Sequence, residues 1–248
     1  MNRIRTALLL TAGGLTVAAL SPLNGGSAAP SAAPSGAGPA TAPAASTFER
    51  PTTNLYFPLV PGTVAVLCGR EDGRHFRERV VVTHRTRMIQ GVRTRVVRDV
   101  VRRHDGSLAE RTLDWYATDE AGRVWYFGEA TATYDRRGHL VDREGSWQAG
   151  VDGAVAGTIM PARPRATDAF RQELLRGEAE DQAWVVQRGA VVTTPAGRFD
   201  RVVRTFEWSR LEPDVVSTKF YAPGVGLVLE RDVAGGNEVF RLVRLHRP

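Results

Sequence analysis

Two stretches of the 248-residue chain carry the same marks in the same order. In the first, Pro58 and Pro61 are followed by Gly91, the pair Val96-Val97, Tyr116-Ala117, and Gly122 with Val124. In the second, Pro161 and Pro164 are followed by Gly197, Val202-Val203, Tyr221-Ala222, and Gly226 with Val228. From the glycine to the second valine the step is 6 residues in both, and from the glycine to the tyrosine it is 25 in one and 24 in the other. A period of about 105 residues is too long for a solenoid. It predicts two related half-domains, each offering a sheet face that the other covers.

Within each unit the period is that of strands. Residues 93–103 are rich in Val and Arg, Asp105-Gly106 marks a turn, and 108–118 is a second extended run. Residues 119–122 turn the chain into 123–129 and 131–134, and Arg137-Gly138 turns it again, the order of an antiparallel meander. Further turn signals stand at Asp72-Gly73, Asp152-Gly153, Pro195-Ala196-Gly197 and Gly235-Gly236-Asn237. One segment carries helix marks: Thr167 suits an N-cap, Asp168 a first turn, and Phe170, Leu174 and Leu175 fall at helical spacing before Gly177. The duplication sets 170–175 opposite 64–67, just after each Pro-x-x-Pro, and predicts a strand there, with a short helix as the alternative. The expectation is a mainly β fold, an internally duplicated antiparallel sheet forming a curved half-barrel or incomplete barrel. It comprises a single domain over 48–248, with units at about 54–134 and 158–248 joined by an insert, 135–157, that reads as a strand and a long loop.

The N-terminus reads as an export signal: Arg3 and Arg5, an apolar run over 7–20 broken by Gly13-Gly14, then small residues. Gly26 and Ala28 at the −3 and −1 positions predict cleavage after Ala28, hence a signal over 1–28, a Sec-type or Tat-independent route and a secreted protein. Residues 29–47, rich in Ala, Pro and Ser, read as a disordered linker. No other stretch approaches the roughly 18 apolar residues of a membrane span. The single cysteine, Cys68, is far from the cleavage point and cannot carry a lipid anchor there. It reads as a small hydrophobe in a strand, and the chain can form no internal disulfide. Loss of the signal removes two arginines and lowers the formal charge of +6 by two. The arginines alternate with acids and valines along strands without forming one patch, which predicts a mixed surface and no nucleic-acid partner. A monomer is expected.

The largest rings gather in Trp115-Tyr116 and Trp125-Tyr126-Phe127, where alternation sends half of them to each face, so both faces of this hairpin must be covered. A ligand site is expected on the face that carries Tyr116, Tyr126 and Trp147, ordinary sheet core being the alternative. Asp114 and Lys219 occupy matched positions of the two units and are added to the site: their opposite charges approach near a pseudo-twofold axis in one reading and stand at two independent surface positions in the other. Carboxylates are plentiful at Glu129, Glu144, Asp152, Glu173, Glu178, Glu180 and Asp181; a glycoside hydrolase needs two of them roughly 5 to 10 Å apart. Glu178-x-Glu180-Asp181 lacks the pattern of a calcium loop and reads as a solvated acidic loop. The five histidines have no metal-ligand spacing, and no nucleophile elbow, phosphate loop or dinucleotide fingerprint is present. No cofactor and no metal are expected, and no catalytic residue is assigned.

The stretch 54–62 (Asn-Leu-Tyr-Phe-Pro-Leu-Val-Pro-Gly), with Asp114-Trp115-Tyr116-Ala117, 122–129 (Gly-Arg-Val-Trp-Tyr-Phe-Gly-Glu) and 221–228 (Tyr-Ala-Pro-Gly-Val-Gly-Leu-Val), resembles a family of secreted bacterial proteins common in actinobacteria. The resemblance covers the whole mature domain. It implies a shared fold, and no activity is carried over with it. In plan alone the chain is similar to the LolA and LppX group of lipoprotein and lipid carriers, whose curved half-barrels hold acyl chains. The absence of a lipid-anchor cysteine departs from LppX and the duplication from both. The function expected is a secreted, non-catalytic module binding an apolar or amphipathic ligand, a lipid among the candidates, in a concavity of the sheet. The alternatives are an extracellular polysaccharide hydrolase or lyase using the insert's carboxylates, and a surface interaction protein with no small ligand. A deep apolar volume marks the first, an open polar groove with facing carboxylates the second, a filled core the third.

Overall fold

The computed structural model describes residues 43–248; the expected signal, its cleavage point at Ala28 and the linker as far as residue 42 lie outside them. The first half holds β1 (Val64–Glu71), β2 (Arg74–Ile89), β3 (Val92–Arg103), β4 (Leu108–Thr118) and β5 (Val124–Tyr134). The insert adds β6 (Leu140–Asp142) and β7 (Trp147–Gln148), two short strands in place of the single strand and long loop expected there, and leads into β8 (Val155–Met160). The second half holds β9 (Ala169–Arg171), β10 (Glu173–Leu174), β11 (Asp181–Thr194), β12 (Gly197–Ser209), β13 (Glu212–Ala222), β14 (Gly226–Ala234) and β15 (Val239–His246). Residues 167–175 form no helix. Thr167, the expected N-cap, has φ +81°, whereas a cap residue needs extended backbone.

Two-residue turns fix the register of the long hairpins. Asp72-Gly73 and Gln90-Gly91 have positive φ at both positions, the turn geometry whose twist matches that of paired strands. The strands join into one antiparallel sheet in the order β10-β8-β5-β4-β3-β2-β1-β15-β14-β13-β12-β11-β9, with β6 and β7 attached to β5. The two halves meet where β1 pairs β15. At the far ends of the path β8 and β9 come together, as do β10 and β11, so the sheet curls into a nearly closed barrel with one unsealed seam. Gly128 makes room for β7: a Cβ there would lie 2.3 Å from the Trp147 carbonyl oxygen.

A strap, residues 54–62, crosses one mouth of the barrel. Buried Asn54 anchors it, donating from Nδ2 to the carbonyls of Gly122 (2.7 Å) and Pro161 (3.0 Å) and accepting from the N–H groups of Tyr56 and Phe57 (both 2.9 Å). Phe57 then packs edge-on against Tyr116, ring centroids 5.1 Å apart, and against Tyr221 at 6.5 Å. A 3-10 turn at Ala45–Phe48 puts Phe48 against the outward rings Trp125 and Phe127. Arg87 lies over Trp115. Both faces of the aromatic hairpin are thus covered, one by the barrel interior and one by these outer elements.

Along several strands the charges are sorted by face. On β2 and β3 the residues Arg77, Arg79, Arg93 and Arg98 are exposed, while Glu78 and Asp99 are buried. Glu110 and Asp114 on β4 flank exposed Arg111, and Glu230 on β14 precedes exposed Arg231. Strand alternation sends neighbours to opposite faces, so at these positions the arginines point outward and the acids inward, while exposed acids such as Asp72, Glu120, Asp200 and Asp214 keep the surface mixed. Cys68 lies on β1 as expected, but on the exposed face.

Candidate binding site

The five residues singled out from the sequence all lie inside the barrel: Tyr116, Tyr126, Trp147, Asp114 and Lys219 are between 0 and 4% exposed. The structure brings four of them together. Tyr116 stacks on Tyr126 with centroids 4.8 Å apart, and Trp147 meets Tyr126 edge-on at 5.2 Å. The Tyr126 hydroxyl donates to Asp114 Oδ1 at 3.0 Å. Asp114 and Lys219 have other partners than each other. Lys219 Nζ lies 3.1 Å from Glu207 Oε2 and 3.4 Å from Glu230 Oε1.

Glu207 is the best-satisfied interior acid. Its Oε1 accepts from Thr205 Oγ1 (2.7 Å) and from the Tyr221 hydroxyl (3.1 Å), and its Oε2 accepts from Gln172 Nε2 (3.0 Å). Burial works against a charged Lys219, but the charges of Glu207 and Glu230 outweigh it and raise the ammonium well above its ordinary pKa. Burial also pushes Glu230 up to about 8 despite Lys219.

The first half lacks this compensation. Across β13 and β14 Lys219 faces Glu230; across β4 and β5 the matched Asp114 faces Glu129, acid against acid. Burial, then the charge of Asp99, raises Asp114 well above the carboxylate range; burial, then Asp114, does the same to Glu129. Glu173 on β10 is raised by burial and by Asp181, and burial lifts Asp181 to about 7. Both carboxyl oxygens of Glu129 and of Glu173, the Tyr116 hydroxyl and the Trp147 indole nitrogen have no well-formed hydrogen bond. The indole N–H is close enough to Glu173 to favour its ionised form, but poorly aligned with it. Tyr221, the counterpart of Tyr116, spends its hydroxyl on Glu207.

Of the seven carboxylates noted in the sequence, the structure collects Glu129, Glu173 and Asp181 in this interior and leaves the others outside it. Glu144 and Asp152, from the insert, are exposed. Glu180 caps the turn at Gly177 and pairs with Arg210 at 3.5 Å. The solvated acidic loop expected at 178–181 is therefore corrected at Asp181, which is 1% exposed. Sequence reasoning missed Glu78, Asp99, Glu207 and Glu230 as interior groups. The period-two alternation of arginine with acid was the available signal. Among the described residues no group of three or more His, Cys, Asp or Glu is arranged to hold a metal ion, and no helix is long and apolar enough to cross a membrane.

No family model matches the chain, and no curated protein matches it. Among solved structures it is similar to a Bacteroides fragilis protein described as exported and as having a YmcC-like fold. That likeness has 15% identity and a TM-score of 0.46, over 78% of this chain and 100% of the other. It is also similar to a protein described as a lipoprotein from Parabacteroides distasonis, with 14% identity and a TM-score of 0.43, over 79% of this chain and 100% of the other.

Proposed function

We propose that the chain is an exported, non-catalytic binding protein whose barrel interior takes an amphipathic organic cation beside Tyr116, Tyr126 and Trp147. Export rests on the basic, apolar and small-residue order of residues 3–28. The ligand class rests on one observation: Glu129 faces Asp114 at the place where the other half sets Glu230 against Lys219. A ligand ammonium would supply in the first half the charge that Lys219 supplies in the second. Aromatic faces attract cations as well, by about 0.5 to 2 kcal/mol each. A purely apolar ligand fits poorly here, because it would offer these buried carboxyls no partner. Entry is through the seam, where Glu173 and Asp181 stand on β10 and β11.

The test is a titration with octylamine, octanoate and a neutral oligosaccharide, followed by tryptophan fluorescence. Only octylamine should give a saturable change, and Glu129→Gln should weaken it at least tenfold. Asp114→Lys, which copies the second half, should abolish binding while raising the thermal midpoint. If no compound saturates below about 1 mM, the binding reading fails. The mutual packing of Tyr116, Tyr126 and Trp147 then favours a surface interaction protein with a filled core.

A further inference from the structure

At one rim of the barrel the β1–β2, β3–β4 and β5–β6 turns enclose a cleft of about 260 Å³, lined by Arg74, His75, Phe76, Arg103, His104 and Arg136, with Asp105 beside them. Three guanidiniums line the cleft against one lining carboxylate, Asp105, and the charge of Asp135 also reaches Arg103. Asp105 is committed on both oxygens: Oδ1 accepts from Ser107 N–H (2.9 Å) and Oγ (2.6 Å), and Oδ2 pairs with Arg136 at 3.2 Å. Arg103 is held in place by donating to the carbonyls of Leu108 and Tyr134, so one guanidinium is fixed by the fold before any ligand arrives. Burial, then the charge of Arg136, pulls the Arg103 pKa down against the opposing charges of Asp105 and Asp135, and Arg74, the register partner of Glu71, adds to the repulsion. Buried Phe76 forms an apolar floor, and the rings of His75 and His104 stand edge to face with centroids 6.4 Å apart.

We infer that this cleft is an oxyanion site for a dianionic phosphate group, free or as a monoester. A doubly charged tetrahedral anion relieves the repulsion among three guanidiniums, and a fixed guanidinium gives it paired donors. The cleft is large enough for the substituent of the ester as well, and Phe76 offers that substituent an apolar contact. The site is independent of the interior carboxyls.

The test uses the secreted protein at low ionic strength with three probes: inorganic phosphate, glycerol 3-phosphate, and phosphatidic acid vesicles. Binding is read by ³¹P line broadening for the first two and by co-sedimentation for the vesicles. Glycerol 3-phosphate should saturate, and the exposed-residue double variant Arg74→Gln/Arg136→Gln should weaken it at least tenfold. Arg98→Gln, a charge loss in the middle of β3, should leave it within twofold. Saturation by phosphate alone assigns a free-anion site, and co-sedimentation lost in the same double variant assigns a headgroup site; both keep the oxyanion chemistry. An equal loss in Arg98→Gln, or no saturable binding by any probe, overturns the proposal.

Discussion

Replacing Lys219 by methionine removes the ammonium that neutralises the second half's interior. Its Nζ lies 3.1 Å from Glu207 and 3.4 Å from Glu230, and all three side chains are at most 1% exposed. Removing one partner of a buried ion pair costs about 3–5 kcal/mol. The cost depends on pH in a calculable way. Burial pushes Glu230 up to about 8 even though Lys219 lowers it. In Lys219→Met that lowering is lost, so the Glu230 carboxyl is held higher still and stays protonated in the folded state. Below about 8 the cost of keeping it protonated is the same in both proteins; above about 8 the parent releases the proton and the variant does not, so each further pH unit costs about 1.4 kcal/mol more in the variant. The loss should grow by about 2 kcal/mol between pH 8 and pH 10. Urea unfolding followed through the five tryptophans gives the free energies at pH 6, 8 and 10. In Lys219→Met/Glu230→Gln the additional slope should vanish. A loss that stays constant within about 1 kcal/mol between pH 8 and pH 10, or a double variant that keeps the slope, would refute the reasoning.

The parent protein should itself lose stability as pH rises. Burial lifts Asp181 to about 7 and Glu230 to about 8, above their unfolded values. Their contribution is therefore complete below about pH 4 and lost as pH climbs through 7 and 8. Urea midpoints at pH 5 and pH 9 check this, and a higher midpoint at pH 9 would contradict it. Asn54→Ala should cost about 2–4 kcal/mol, because two carbonyls and two strap N–H groups lose their partner at a buried position. Amide exchange at Tyr56 and Phe57 should accelerate with it, and unchanged protection there would show that other contacts hold the strap.

The sequence by itself determined the strands, because alternation and turn chemistry act over a few residues. Gly91 and Asp72-Gly73 bear φ values that few other residue types adopt readily, and they set hairpin registers without help from the rest of the chain. It also marked Tyr116, Tyr126, Trp147, Asp114 and Lys219 as positions to watch. What surrounds them was decided by tertiary structure. The alternation of Arg79 with Glu78, or of Arg111 with Glu110, says that acid and arginine take opposite faces, but not which face is inside. Only closure of the sheet settles that, by pairing β1 with β15 and curling the seam strands toward each other. Closure then buries Glu129 opposite Asp114 and Glu230 opposite Lys219. Local propensity carries no information about that choice, because the free energy of an acid on a strand depends on the solvent and the charges brought to it by strands a hundred residues away.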